Sequence, residues 1–118
     1  MNNNLENAVL ILESKSEEGG GDVSLYRDVT QAERALEARD VRNNEFFGFT
    51  LGGRKLELKA AGEQVLISEG ADKTDYTHIV RLHLERTVAH VPGNSAMTTE
   101  RFAKYPLDEL VKIIGFAR

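Results

Sequence analysis

The chain has 118 residues, no Cys, no Trp, and nineteen acidic against fifteen basic side chains, a net charge of −4. That length suits one domain spanning residues 1–118, and zero Cys excludes disulfides, thiolate zinc sites, iron–sulfur clusters and thiol nucleophiles. The negative balance runs against bulk nucleic-acid binding, which needs Lys and Arg to neutralise phosphates, and it fits a basic protein partner.

The start, Met1-Asn2-Asn3-Asn4, carries no basic stretch, and the apolar run from Ala8 to Leu12 is short. A signal peptide needs a longer apolar run, and a membrane span needs about 20 apolar residues. The expectation is a cytoplasmic protein with no membrane contact.

Residues 8–15 read as a strand, with Val9 and Ile11 on one side and Ala8, Leu10 and Leu12 on the other. Apolar residues on both sides point to a central place in a sheet. Glu17-Glu18-Gly19-Gly20-Gly21-Asp22 then breaks the pattern, as the tip of a hairpin would, before a short strand from Val23 to Tyr26. Thr30-Gln31-Ala32-Glu33 has capping-box spacing, in which the Thr30 and Glu33 side chains each satisfy the other's backbone amide. A helix over residues 31–39 is expected, with Ala32, Ala35 and Leu36 as its apolar stripe.

Asn43-Asn44 is a turn signal, because Asn tolerates the left-handed region. Residues 46–50 form the next strand. Gly52-Gly53 turns it into Lys55-Leu56-Glu57-Leu58-Lys59, where the leucines face inward and the charged residues face water. Gly62-Glu63 leads to residues 64–68, with Val65 and Ile67 inside. The three strands make a meander with one wet face.

From Asp75 to Val91 two patterns overlap. Tyr76, Val80, Leu84 and Val88 repeat every four residues, while residues 80–84 alternate as a strand would. The four-residue repeat runs longer, which favours a helix. Pro92-Gly93 ends it, Thr98 or Thr99 caps a short turn around Arg101 and Phe102, and Pro106 opens a last helix with Leu107, Leu110, Val111 and Ile114 buried. Strands in runs with helices beside them give an α+β fold. Four to five antiparallel strands are expected (hairpin, helix, three-stranded meander), with two or three helices packed on one side.

Few residues have the spacing that chemistry requires. His78 and His83 are five apart, which separates them by about 140° on a helix. His83 and His90 share a helical face but are about 10.5 Å apart along it. Neither pair makes a metal site, so the histidines read as surface or boundary residues, and no metal or cofactor is expected. No serine lies in Gly-x-Ser-x-Gly. Gly52-Gly53-Arg54-Lys55 is explained by its hairpin and lacks the phosphate-loop pattern. The acids Glu17, Glu18, Asp22 and Asp28 flank the glycine tip and form the candidate partner-binding face. Phe46 joins them, because alternation turns it away from Phe47 and Phe49, and an exposed aromatic can anchor an interface.

The run Asp28-Val29-Thr30-Gln31-Ala32-Glu33-Arg34-Ala35-Leu36-Glu37-Ala38-Arg39-Asp40-Val41, then Asn43-Asn44-Glu45-Phe46-Phe47-Gly48-Phe49 and Gly53-Arg54-Lys55-Leu56-Glu57-Leu58, resembles small bacterial immunity-type proteins. These accompany polymorphic or contact-dependent toxins. The resemblance covers residues 28–58 and implies a stoichiometric, non-enzymatic inhibitor of a cognate toxin. It carries over no catalytic residue. Two other readings stand beside it. One is a small ligand-binding domain or enzyme with a pocket between sheet and helices, using Tyr76, His78, Arg81 or His83. The other is a homo-oligomer paired through an open sheet edge.

Overall fold

The computed structural model describes residues 5–16, 19–90 and 105–117. A short 3-10 turn, Leu5–Asn7, leads into β1 (Val9–Glu13) and β2 (Asp22–Tyr26). Two short helices follow, α1 (Val29–Ala35) and α2 (Ala38–Arg42). Then come β3 (Phe46–Thr50), β4 (Lys55–Ala61) and β5 (Gln64–Glu69), and finally α3 (Thr77–Ala89) and α4 (Leu107–Ile114). The strands form one antiparallel sheet in the order β2-β1-β3-β4-β5. This is the expected α+β fold: a hairpin, a helical segment and a meander. No helix among the described residues is long and apolar enough to cross a membrane.

The helices do not share one side of the sheet. Leu10, Leu12, Leu25, Phe49 and Leu51 pack with Ile79, Val80, Leu84 and Val88 of α3 and with Leu110 and Val111 of α4. On the other face Val9, Ile11, Tyr26, Leu56, Val65 and Ile67 pack with Ala32 of α1 and with Ala38 and Val41 of α2. The reason lies in β1. Its residues 9–12 are all buried, successive side chains alternate between faces, and so both faces need cover. Burying each of Leu10 and Leu12 contributes roughly 2 kcal/mol.

The expected helix over residues 31–39 is two helices. Leu36 is extended (φ −86°, ψ 146°) and α2 restarts at Ala38. The break redirects the chain so that α2 packs under β4 while α1 reaches β5. The cap also differs from the expected box. Asp28 caps α1, its Oδ1 accepting from the Gln31 amide at 2.8 Å. Thr30 lies inside the helix, and Glu33 accepts instead from the Ile67 amide at 2.7 Å. α1 touches β1, β2 and β5, and β2 and β5 are opposite edges of the sheet. The sheet therefore curls around α1.

The remaining turns follow their residue types. Asn44 adopts the left-handed region (φ 56°) and Gly53 turns β3 into β4 with φ 96°. Leu56, Val65 and Ile67 are buried, whereas Glu57, Lys59, Gln64, Leu66 and Ser68 are exposed, so the meander has its wet face. α3 resolves the mixed pattern of residues 75–91 as a helix, with the Tyr76 amide donating to the Gly53 carbonyl at its start. Pro106 sits at the N-cap of α4, one place before the expected position, and Gly115 ends the helix with φ 82°. The expected turn around Thr98, Thr99, Arg101 and Phe102 lies outside the described residues.

Candidate functional site: the acidic end of the sheet

Strand register sets three side chains in a row. Glu13 pairs with Asp22 across β1 and β2, and with Phe46 across β1 and β3. Directly opposed residues of an antiparallel pair point to the same face. Asp22, Glu13 and Phe46 therefore stand side by side at one end of the sheet. Glu13 is the one exposed residue of β1, and Asp22 is exposed too. Phe46 is half-buried, one side against the Val9–Ile11 cluster.

The turn before β3 adds charge to this row. The Ser14 amide donates to the Glu45 carbonyl (3.1 Å), and the Glu45 amide to the Asp40 carbonyl (3.3 Å). Asn44 makes the bend between α2 and β3 possible, since a left-handed residue is tolerated there. Glu45 is held beside Asp40 and faces Glu13. Desolvation first, and then the carboxylates of Asp40 and Glu13, raise the Glu45 pKa above its ordinary value. Arg39 opposes this, lying 3.9 Å from Asp40 and 3.6 Å from Glu37 on an exposed surface. Such exposed pairs contribute little. Glu13, Ser14, Lys15, Asn43, Asn44 and Glu45 bound a hollow of about 360 Å³.

The residues expected to bind a partner are thus divided. Asp22 and Phe46 meet at the acidic end. Glu17 and Glu18 lie outside the described residues. Asp28 is at the other end of β2, since Tyr26 pairs with Val9. β2 alone separates the two aspartates by about 13 Å, and the Asp28 carboxylate is engaged in the α1 cap. Glu13, Asp40 and Glu45 were missed. Glu13 could have been found from the hairpin register, as the polar end of an otherwise apolar strand.

A second concavity, of about 730 Å³, lies between β2 and α3. Its walls include Gly21, Asp22, His83, Arg86, Thr87 and His90. His83 is only 1% exposed, not the surface or boundary residue expected. It sits four residues after buried Ile79 and beside buried Leu84, on the packed face of α3. His90 closes the helix, its Nδ1 donating to the Arg86 carbonyl at 2.7 Å. Of the groups expected around a pocket, only His83 reaches this cleft. His78 is exposed, Arg81 pairs with Glu85 at 2.9 Å, and the Tyr76 hydroxyl donates to Asp72 at 2.7 Å. Among the described residues no three His, Asp or Glu side chains are grouped to hold a metal ion.

No family model, curated protein or solved structure matches this chain.

Proposed function

We propose that this chain is a non-enzymatic protein-binding module of the immunity type, neutralising a cognate toxin by stoichiometric binding. Its acidic end receives a basic surface of that toxin. The observation that carries this reading is the strand register that sets Glu13, Asp22 and Phe46 side by side, with Glu45 and Asp40 anchored by backbone bonds at the same end. Carboxylates that repel one another while anchored by backbone bonds are relieved by an incoming cation. Phe46 supplies an apolar contact next to the charge, as interface anchors do.

The test is a set of Lys substitutions at Glu13, Asp22 and Glu45, read by co-purification with the basic product of a neighbouring gene. The triple variant is expected to lose the 1:1 complex and to flatten its salt dependence while remaining folded. Undiminished binding by the folded triple variant refutes the site. A second reading, a small-ligand domain, rests on the cleft beside His83. NMR shifts confined to His83, Arg86 and His90 on adding small anions would favour it over partner binding.

A further inference from the structure

Both edges of the sheet are held by side chains of α1. At the β2 edge the Ala117 amide donates to the Leu25 carbonyl (2.7 Å). Gln31 secures that tail, its Nε2 donating to the Ala117 carbonyl (2.8 Å) and its Oε1 accepting from the Arg27 amide (2.7 Å). At the β5 edge Glu33 Oε2 accepts from the Ile67 amide (2.7 Å). Residues 31 and 33 point about 200° apart around a helix. Ala32 between them is fully buried against the sheet. One turn of helix therefore reaches both edges at once.

Apart from α1 itself, which packs against β5, the β5 edge carries few of the usual blocking features. Alternate residues of a strand turn their amides and carbonyls to the same side. Because the Ile67 amide donates outward to Glu33, the backbone amides and carbonyls of Val65 and Glu69 also point to the open edge. The strand, Gln-Val-Leu-Ile-Ser-Glu, contains no Lys and no Pro, the residues that commonly block edges. Leu66, 49% exposed, is the exposed large apolar side chain among the described residues, and it lies on this strand. β5 is also compatible with its own copy. An antiparallel pairing centred on Ile67 sets Leu66 against Ser68 and Val65 against Glu69, with no like charges opposed.

We propose that Glu33 guards a latent self-pairing edge, and that β5 joins β5 of a second copy of this chain once Glu33 no longer holds the Ile67 amide. The pairing is independent of the toxin-binding reading, because it uses the strand at the far side of the sheet from β2.

Light-scattering mass against concentration tests it on the full chain. Wild type and Glu33→Gln, which keeps an acceptor oxygen, are expected to stay at 13.1 kDa. Glu33→Ala is expected to rise toward twice that mass with concentration. Adding Leu66→Lys to Glu33→Ala should restore the monomer, because the two lysines then lie on one face as diagonal neighbours about 7–8 Å apart and repel, and the apolar contact of Leu66 is lost. A folded Glu33→Ala variant that stays monomeric overturns the proposal, as does a dimer that Leu66→Lys leaves intact. Should Glu33→Ala fail to fold, amide exchange in the wild type decides. The Ile67 amide is expected to exchange at least about tenfold more slowly than that of Glu69, and equal rates overturn the guard.

Discussion

Asp28 separates a stabilising role from a binding role. Its carboxylate accepts from the Gln31 amide at 2.8 Å, and α1 is only seven residues long. A side-chain N-cap contributes about 1 kcal/mol, so Asp28→Ala removes about that much. At about 2.1 cal/mol/K per residue, unfolding the 118-residue chain carries an entropy of roughly 0.25 kcal/mol/K, which puts the fall in Tm near 4 °C. Asp28→Asn keeps an acceptor and is expected to lose less than half of that. Thr30→Ala is the contrasting variant. Thr30 is exposed inside α1 with its cap position already filled, and Ala is the better helix former. Its Tm should not fall. Thermal unfolding followed by circular dichroism, with co-purification of the partner alongside, reads both roles. Asp28→Ala is expected to lower Tm and leave partner binding intact. A Thr30→Ala variant as unstable as Asp28→Ala would refute the reasoning and restore the capping box read from the sequence.

Two further outcomes follow from close contacts and hydrogen bonds. A Cβ on Gly21 would lie 2.0 Å from the Glu13 carbonyl oxygen, whereas one on Gly20 meets nothing within 4 Å. Gly21→Ala is therefore expected to lower Tm by several degrees and Gly20→Ala to leave it unchanged, and equal effects would contradict the hairpin geometry. Asp72 is held at a pKa of about 2 by hydrogen bonds from Thr74 and Tyr76. A depressed folded pKa contributes stability above the unfolded value near 3.8, which is lost as pH falls through about 2. Tyr76→Phe keeps the ring against Phe49 but removes one of these bonds, and is expected to move the Asp72 midpoint upward in a carboxyl NMR titration. An unmoved midpoint would exclude the Tyr76 hydroxyl as a cause.

Much of the scaffold was legible because its patterns are local. The doubly apolar run of β1, the strict alternation of β4 and the four-residue repeat of α3 each report which faces are buried. What was not legible depended on contacts distant in sequence. Thr30 and Glu33 have capping-box spacing, but the Glu33 carboxylate is claimed by a strand amide 34 residues away. The helix starts at Val29, and its cap is Asp28. Two helical layers were implied by β1 itself, since a strand apolar on both sides needs cover on both. The spacing of His83 from the other histidines says nothing of its burial, whereas its place four residues after Ile79 marks the buried face of α3. The acidic end required register. Glu13 and Asp22 are opposed only once the hairpin is paired, and Asp40 and Glu45 join them only because the helical segment breaks at Leu36.

That assembly has a thermodynamic consequence for the proposed partner. The acidic end is held by strand pairing and by backbone bonds from Ser14 to Glu45 and from Glu45 to Asp40. Desolvation of Glu45, and after it the repulsion from Asp40 and Glu13, is therefore present before anything binds and favours the protonated carboxyl. A basic surface docked there favours the charged form and lowers the pKa again. Binding then releases protons at a pH between the ordinary carboxyl value and the raised one, and affinity rises with pH across that window. Calorimetry of complex formation in two buffers of different ionisation enthalpy measures the release directly. Glu45→Gln, which has no proton to lose, is expected to abolish the buffer dependence while leaving a weaker complex. Binding heats that do not depend on buffer in the wild type would place the partner away from Glu45.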